Sequence, residues 1–185
     1  MALKSTVFKV ALQIADMDRG LYADHALTVA RHPSENDERL VVRLLAFALH
    51  VPADDHQGAL QFTRGLSDAD EPALWQPDLT GQLRHWIEVG QPDDRRLAKA
   101  CGRSDRVSVY AFGSAVPIWW AALEGKVNKL RNLNVWQLPH LQVKELATLV
   151  ERSMQFQVTV QEGQVWMGHG EHTVQVEPVA LWPRQ

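Results

Sequence analysis

Cysteine is nearly missing from this sequence. Of 185 residues only Cys101 is one, so no disulfide can close within the chain and a small disulfide-stapled scaffold is excluded. The corresponding expectation is a reducing, cytoplasmic setting. Long apolar runs are missing as well. The longest, Ala115 to Leu123, falls far short of the roughly 20 residues that span a bilayer, so no membrane association is expected. The first residues, Met1-Ala2-Leu3-Lys4-Ser5-Thr6, carry no apolar block of the signal-peptide kind. An excess of either charge is also lacking: 19 basic side chains against 22 acidic ones leave a net charge of -3. Proteins that coat duplex DNA through many phosphate contacts are usually basic, and this balance weighs against that role. Nucleic acid stays open as a partner, because a bound divalent cation would bring positive charge to an arriving phosphate. There is no glycine-rich phosphate loop, and Gly113-Ser114 lacks the flanking residues of a nucleophile elbow.

What is present suits one globular domain over residues 1–185. At 45% hydrophobic and 22% charged, the chain can bury an ordinary core. Thr6, Phe8, Val10, Leu12 and Ile14 alternate with polar residues, which predicts a half-buried strand. Turn residues at 16–20 and a second alternating stretch at 21–30 complete an N-terminal hairpin. An apolar helical pattern from near Glu35 to near His50 follows, with Ser34 and Asp37 read as its capping pair. The spacing then predicts a short strand at 59–64, a loop at 67–78 with a helical turn at 72–75, and a strand at 79–89. A helix at 93–101 is closed by Gly102. Strands at 107–112 and 133–138 alternate with helices at 115–126 and 141–152. Strands at 154–161, 165–167 and 173–182 form a β tail. The alternation predicts an α/β (α+β) fold with one mixed central β-sheet flanked by helices and hairpins at both ends.

The sharpest local feature is Pro77-Asp78-Leu79-Thr80-Gly81 followed by Trp86-Ile87-Glu88-Val89-Gly90-Gln91-Pro92. Two carboxylates and a backbone carbonyl such as that of Val89 suit a hard cation, Mg²⁺ or Mn²⁺, which would polarise a phosphodiester and acidify a bound water. The plainer reading of the same residues is a turn-capping Asp78 and a strand-end Glu88 in water.

Several longer strings carry a resemblance. They are Ala30-Arg31-His32-Pro33-Ser34-Glu35 with Glu38-Arg39, Leu60-Gln61-Phe62-Thr63-Arg64-Gly65-Leu66, Asp70-Glu71-Pro72, and Trp86-Ile87-Glu88-Val89-Gly90. Asp93 to Cys101 and Ile118-Trp119-Trp120 extend it. With these the chain resembles the YaeQ family along nearly its whole length. The resemblance implies a restriction-endonuclease-like fold of the PD-(D/E)xK group, whose motif is a proline-aspartate and then an acidic residue two positions before a lysine. Pro77-Asp78 and Glu88 match it; the lysine position is Gly90. Lys99 on the next helix and Gln91 are the candidates to serve the attacking water in its place. The other reading of Lys99 is an exposed basic face shared with Arg95 and Arg96. Glu35 is a further metal-ligand candidate, or else an acid at a helix start paired with Arg39.

Three functions follow from these readings. One is a metal-dependent phosphodiesterase or nuclease using Asp78, Glu88 and Glu35 on the cation. Another is a non-catalytic binding or regulatory protein that keeps the fold. The last is an acidic pocket serving an unrelated small ligand.

Overall fold

The computed structural model describes residues 4–183. β1 (Thr6–Asp16) forms as its alternation predicts, with Phe8, Val10, Leu12 and Ile14 buried. It pairs antiparallel with β2 (Leu21–Arg31). α1 (Asp37–His50) starts later than expected. Its N-cap is Asn36, whose side chain accepts from the Arg39 amide at 2.9 Å, while the Ser34 hydroxyl turns to His32. Residues 40–48 of α1 are buried without a break, so this helix passes through the core and is not laid across a surface. Its last carbonyls, of Ala48 and of the adjoining Val51, accept 2.9 Å bonds from the Arg19 guanidinium, itself held by Asp16.

The strands form two mixed sheets where one was expected. The first has the order β10-β9-β8-β1-β2, with β8 (Ser153–Gln161), β9 (Gln164–His169) and β10 (His172–Val176); β8 lies parallel to β1. The second has the order β11-β7-β6-β5-β4-β3, from β3 (Gln61–Phe62), β4 (Leu74–Pro77), β5 (Leu83–Val89), β6 (Ser104–Ala111), β7 (Leu133–Gln137) and β11 (Val179–Trp182). The β tail breaks at Glu177-Pro178, and its two halves join different sheets. Alternation reports a strand's buried face, and it is silent on which sheet receives the strand.

β4 occupies the segment expected to be loop and helical turn. Its ladder with β5 sets Leu74 opposite Ile87 and Trp75 opposite Trp86, and this non-local pairing outweighs the local turn signals of Pro72 and Pro77. β5 starts only at Leu83, because residues 78–82 make the hairpin turn, with the Gly81 amide bonded to the Asp78 carbonyl at 3.0 Å. α2 (Asp94–Arg103), α3 (Val116–Val127) and α4 (His140–Ala147) follow. Gly102 stays inside α2 and does not cap it, and α4 stops short of the expected 152.

The second sheet is covered on both faces. Ile87, Val89 and Tyr110 point into a core shared with α1, α4 and the first sheet. Trp86, Val107, Val109 and Val135 point the other way, onto Leu97 and Ala100 of α2 and Leu123 and Val127 of α3. No helix among the described residues is long and apolar enough to cross a membrane.

Candidate functional site

Strand alternation puts Glu88 on the same face of β5 as Trp86, toward α2, where it is only 4% exposed. A carboxylate taken out of water needs partners or it loses several kcal/mol. The partners here are the Trp86 indole N–H at 2.8 Å and the Arg96 Nε at 2.7 Å, both on Oε1. Arg96 also donates from Nη1 and Nη2 to the carbonyls of Ala69 and Glu71, the latter at 2.7 Å, and so holds the 65–71 loop over the end of β5. Glu71 is engaged in turn by Arg64 at 2.9 Å.

Between this loop and the end of β5 lies a cleft of about 460 Å³. Arg39, Leu66, Asp68, Glu71, Glu88 and Gln91 are among its lining. Arg39 arrives from the first turn of α1 and is loosely tied, with Nη1 3.4 Å from the Val89 carbonyl and Nε 4.0 Å from Glu35. Burial lowers the pKa of its guanidinium, against the opposing pull of Glu35. Gln91 donates to the Phe112 carbonyl at 3.1 Å, bridging the ends of β5 and β6. Gly90 sits between them with φ +110°, and open space surrounds the position a Cβ would take. Its backbone conformation, and not crowding, therefore calls for glycine. A lysine at the motif position would be strained.

The expected site residues fall in different places. Glu88 and Gln91 share the cleft. Asp78 lies at the opposite end of the β4–β5 hairpin, beside Pro77, which pairs with Leu83 five residues before Glu88. At about 3.3 Å per residue the two carboxylates are separated by roughly 15 Å. Asp78 accepts from the Thr80 hydroxyl at 2.7 Å, the Thr80 and Gln82 amides at 2.8 and 3.0 Å, and Arg84 Nε at 2.9 Å. These bonds, led by the Thr80 hydroxyl, hold its carboxyl down to about 2. Asp78→Ala is expected to speed amide hydrogen exchange at Thr80 and Gln82 while leaving Gly90 and Gln91 unaffected; slower or unchanged exchange at Thr80 would contradict the turn-capping role. Lys99 pairs with Asp70 on the exposed side of α2 and is not part of the cleft lining. Glu35 is buried and is not part of the cleft lining, with both oxygens 3.0 Å from Arg43 Nη1.

Each of the three expected metal ligands thus has its own arginine: Arg84 on Asp78, Arg96 on Glu88, Arg43 on Glu35. Among the described residues no group of three or more His, Cys, Asp or Glu side chains is placed to hold a metal. Arg39 and Arg96 are what a reading centred on carboxylates passes over. Their signals were the four-residue step from Glu35 to Arg39 and the basic face of α2.

A second polar cluster lies on the other face of the sheet. His85, 1% exposed, has Nε2 2.8 Å from the Ser108 hydroxyl and Nδ1 2.8 Å from Arg106 Nη2. A guanidinium only donates, so Nδ1 must accept and Nε2 carries the proton. His85 therefore donates to Ser108 and cannot take its proton, which removes a serine nucleophile here. Burial likewise pushes the Cys101 thiol up to about 11, far from a reactive thiolate.

Comparison with known proteins gives one consistent result. A family model described as YaeQ protein matches residues 1–178. The YaeQ protein of Salmonella typhi is 41% identical over 181 residues, and that of Escherichia coli K12 is 39% identical, each match covering 97% of both chains. The crystal structure of YaeQ from Xanthomonas axonopodis pv. citri superposes with a TM-score of 0.90 at 46% identity, covering 96% of this chain and 98% of that one. That of Pseudomonas syringae YaeQ gives 0.90 at 38% identity, covering 97% of each.

Proposed function

The chain belongs to the YaeQ family, and from that premise we propose that it is a non-catalytic binding protein on a nuclease-like frame, taking a small anionic group on Arg39. The frame has support in the antiparallel β4–β5 hairpin continuing into parallel β6 and β7, with α2 covering one face of that sheet. This arrangement is compatible with the restriction-endonuclease-like sheet that the family resemblance implies. The observation that carries the reading is the state of Glu88. Its Oε1 is bound by Trp86 and Arg96, so the carboxylate serves as an internal anchor for α2 and the 65–71 loop. Its charge is already met by the Arg96 guanidinium, which disfavours a divalent cation at the same carboxylate. Arg39 is left with unfilled donors at the cleft, and a guanidinium so placed matches a carboxylate or phosphate.

Inorganic phosphate, titrated calorimetrically, is expected to bind the wild-type protein, and Arg39→Gln to weaken that binding about 10–100-fold, the worth of one or two charge-assisted bonds. Equal affinity in the two proteins would remove Arg39 from the site.

A metal-dependent phosphodiesterase is the second reading. It is favoured by the oxygens of Asp68, Glu71, Glu88 and the Val89 backbone in the lining of one cleft, although these carboxylates are not grouped closely enough to share an ion as arranged. It requires a cation to share Glu88 with Arg96, whose bond is to Oε1. Titration with Mg²⁺ and Mn²⁺, together with cleavage assays on single-stranded, duplex and branched DNA and on RNA, separates the two. Silent metal titrations and intact substrates are expected. Mn²⁺ binding that disappears in Glu88→Gln, accompanied by cleavage, would establish the enzyme instead.

A further inference from the structure

β2 is an edge strand of unusual character for this molecule. It ends the first sheet, with β1 on one side and no described strand on the other. Eleven consecutive residue pairs join it to β1 without a register shift. The other three edges are short: two residues in β3, four in β11 and five in β10. Soluble proteins ordinarily guard a long edge with lysine, proline or a bulge. β2 has none of these, and its outward side chains include a single charge, that of Asp24.

The backbone bonds show which groups of β2 are free. The Lys9 amide bonds to the Arg152 carbonyl at 2.9 Å and the Met17 amide to the Val160 carbonyl at 2.8 Å, so odd-numbered residues of β1 face β8 and even-numbered ones face β2. Through the register, Phe8 opposite Val29 and Leu12 opposite His25, the odd residues of β2 are the ones bonded to β1. Tyr22, Asp24, Ala26 and Thr28 therefore direct their N–H and C=O groups outward. Ala30 also faces out, but its carbonyl already accepts from Arg43 Nη1 at 3.2 Å. Burial is unfinished on the same flank. Phe8, Val10, Leu12 and Ile14 of β1 are at most 4% exposed, whereas Leu21, Ala23, His25 and Leu27 of β2 are only half-buried.

We propose that this edge pairs antiparallel with the same edge of a second copy of the chain, joining two five-stranded sheets across a two-fold axis. The free groups at 22, 24, 26 and 28 are symmetric about His25, which selects one register. Tyr22 lies opposite the partner's Thr28, and Asp24 opposite the partner's Ala26. No like charges face each other on this ladder, and small residues meet a carboxylate or an aromatic ring. Because the contact is isologous, it closes at the dimer and does not propagate into fibres. The pairing is independent of the cleft and of any ligand there.

Sedimentation velocity on the full chain between 1 and 100 μM tests this. The wild-type protein is expected to form a dimer in that range. Ala26→Pro removes an N–H that faces outward, sparing the β1 ladder, and is expected to give a monomer. Ala26→Asp sets a carboxylate against the partner's Asp24 and should weaken the dimer at least 10-fold, whereas Ala26→Lys should hold it at or above wild-type affinity. Thermal melts and circular dichroism of all variants confirm that each is folded. A wild-type monomer at 100 μM, or an Ala26→Pro protein that dimerises as the wild type does, overturns the proposal. Equal weakening by Ala26→Asp and Ala26→Lys overturns the register centred on His25.

Discussion

Glu35→Ala is expected to destabilise the protein by about 3–5 kcal/mol, the cost of leaving a buried charge without its partner. For a chain of this length that lowers Tm by roughly 6–20 °C. Glu35 and Arg43 are 3% and 4% exposed at their side chains, and Arg43 Nη1 sits 3.0 Å from the carboxylate. Arg43 Nε already lacks a partner in the core, so removing Glu35 strands the guanidinium further. Glu35→Gln keeps one acceptor and should lose less. Replacing both residues together by leucine and methionine should restore much of the loss, because an apolar pair carries no desolvation cost. Urea denaturation of the four proteins is the measurement. A Glu35→Ala protein as stable as the wild type would show that the buried Glu35–Arg43 pair does not hold the core together.

Acid is expected to unfold the protein through its buried histidines. Burial, then the surrounding charges, pushes the His85 imidazole down to about 2 and that of His50 to about 3. His50 is bonded to the Tyr110 hydroxyl at 2.6 Å, and its ring lies 4.7 Å from that of His85, so the two titrate as a pair. In the unfolded chain both take protons near 6.5. The unfolded state therefore binds more protons between about pH 6.5 and pH 3. The stability these residues contribute is complete above 6.5 and is lost as pH falls, by about 1.4 kcal/mol per pH unit for each histidine. At pH 4.5 the combined loss reaches roughly 5 kcal/mol, comparable with the whole stability of many domains. Urea midpoints between pH 7 and 4.5 should fall accordingly, and His50→Gln should halve the slope. Asp78, held down to about 2, acts with the same sign at lower pH, losing its share only below about 4. Midpoints independent of pH from 7 to 4.5 would refute the assignment.

How much of this was legible in the sequence depended on the range of the interaction. β1 and β8 were readable because their alternation is local and strong. β4 was not, since Leu74 and Trp75 become a strand only when β5 lies alongside. The division into two sheets was equally hidden, because alternation in residues 173–182 is the same whichever sheet receives them. At the cleft, the segment around Glu88 supplies part of the lining, and Gly90 takes a positive φ that glycine suits. Asp78 was expected to converge with Glu88 on one side of the sheet, but a hairpin carries its turn and its open end to opposite edges. The arginines were visible as residues, yet their pairings with Glu88 and Glu35 arise only from packing α2 and α1 against β5.

Five of the six strands of the second sheet, β3 to β7, come from residues 61–137, which sit in the chain between the two halves of the first sheet; only β11 is added from the tail. During synthesis β1 and β2 emerge first, but β1 cannot acquire its parallel neighbour until Ser153–Gln161 has left the ribosome. A lone two-stranded hairpin is marginal in water. The middle of the chain is thus able to fold first, and the N-terminal hairpin waits for β8 to be captured. Closing that long loop makes the β1–β8 pairing the slow, entropically costly event of folding. A nascent chain stalled before residue 150 should carry a protease-sensitive N-terminus beside an already protected central sheet.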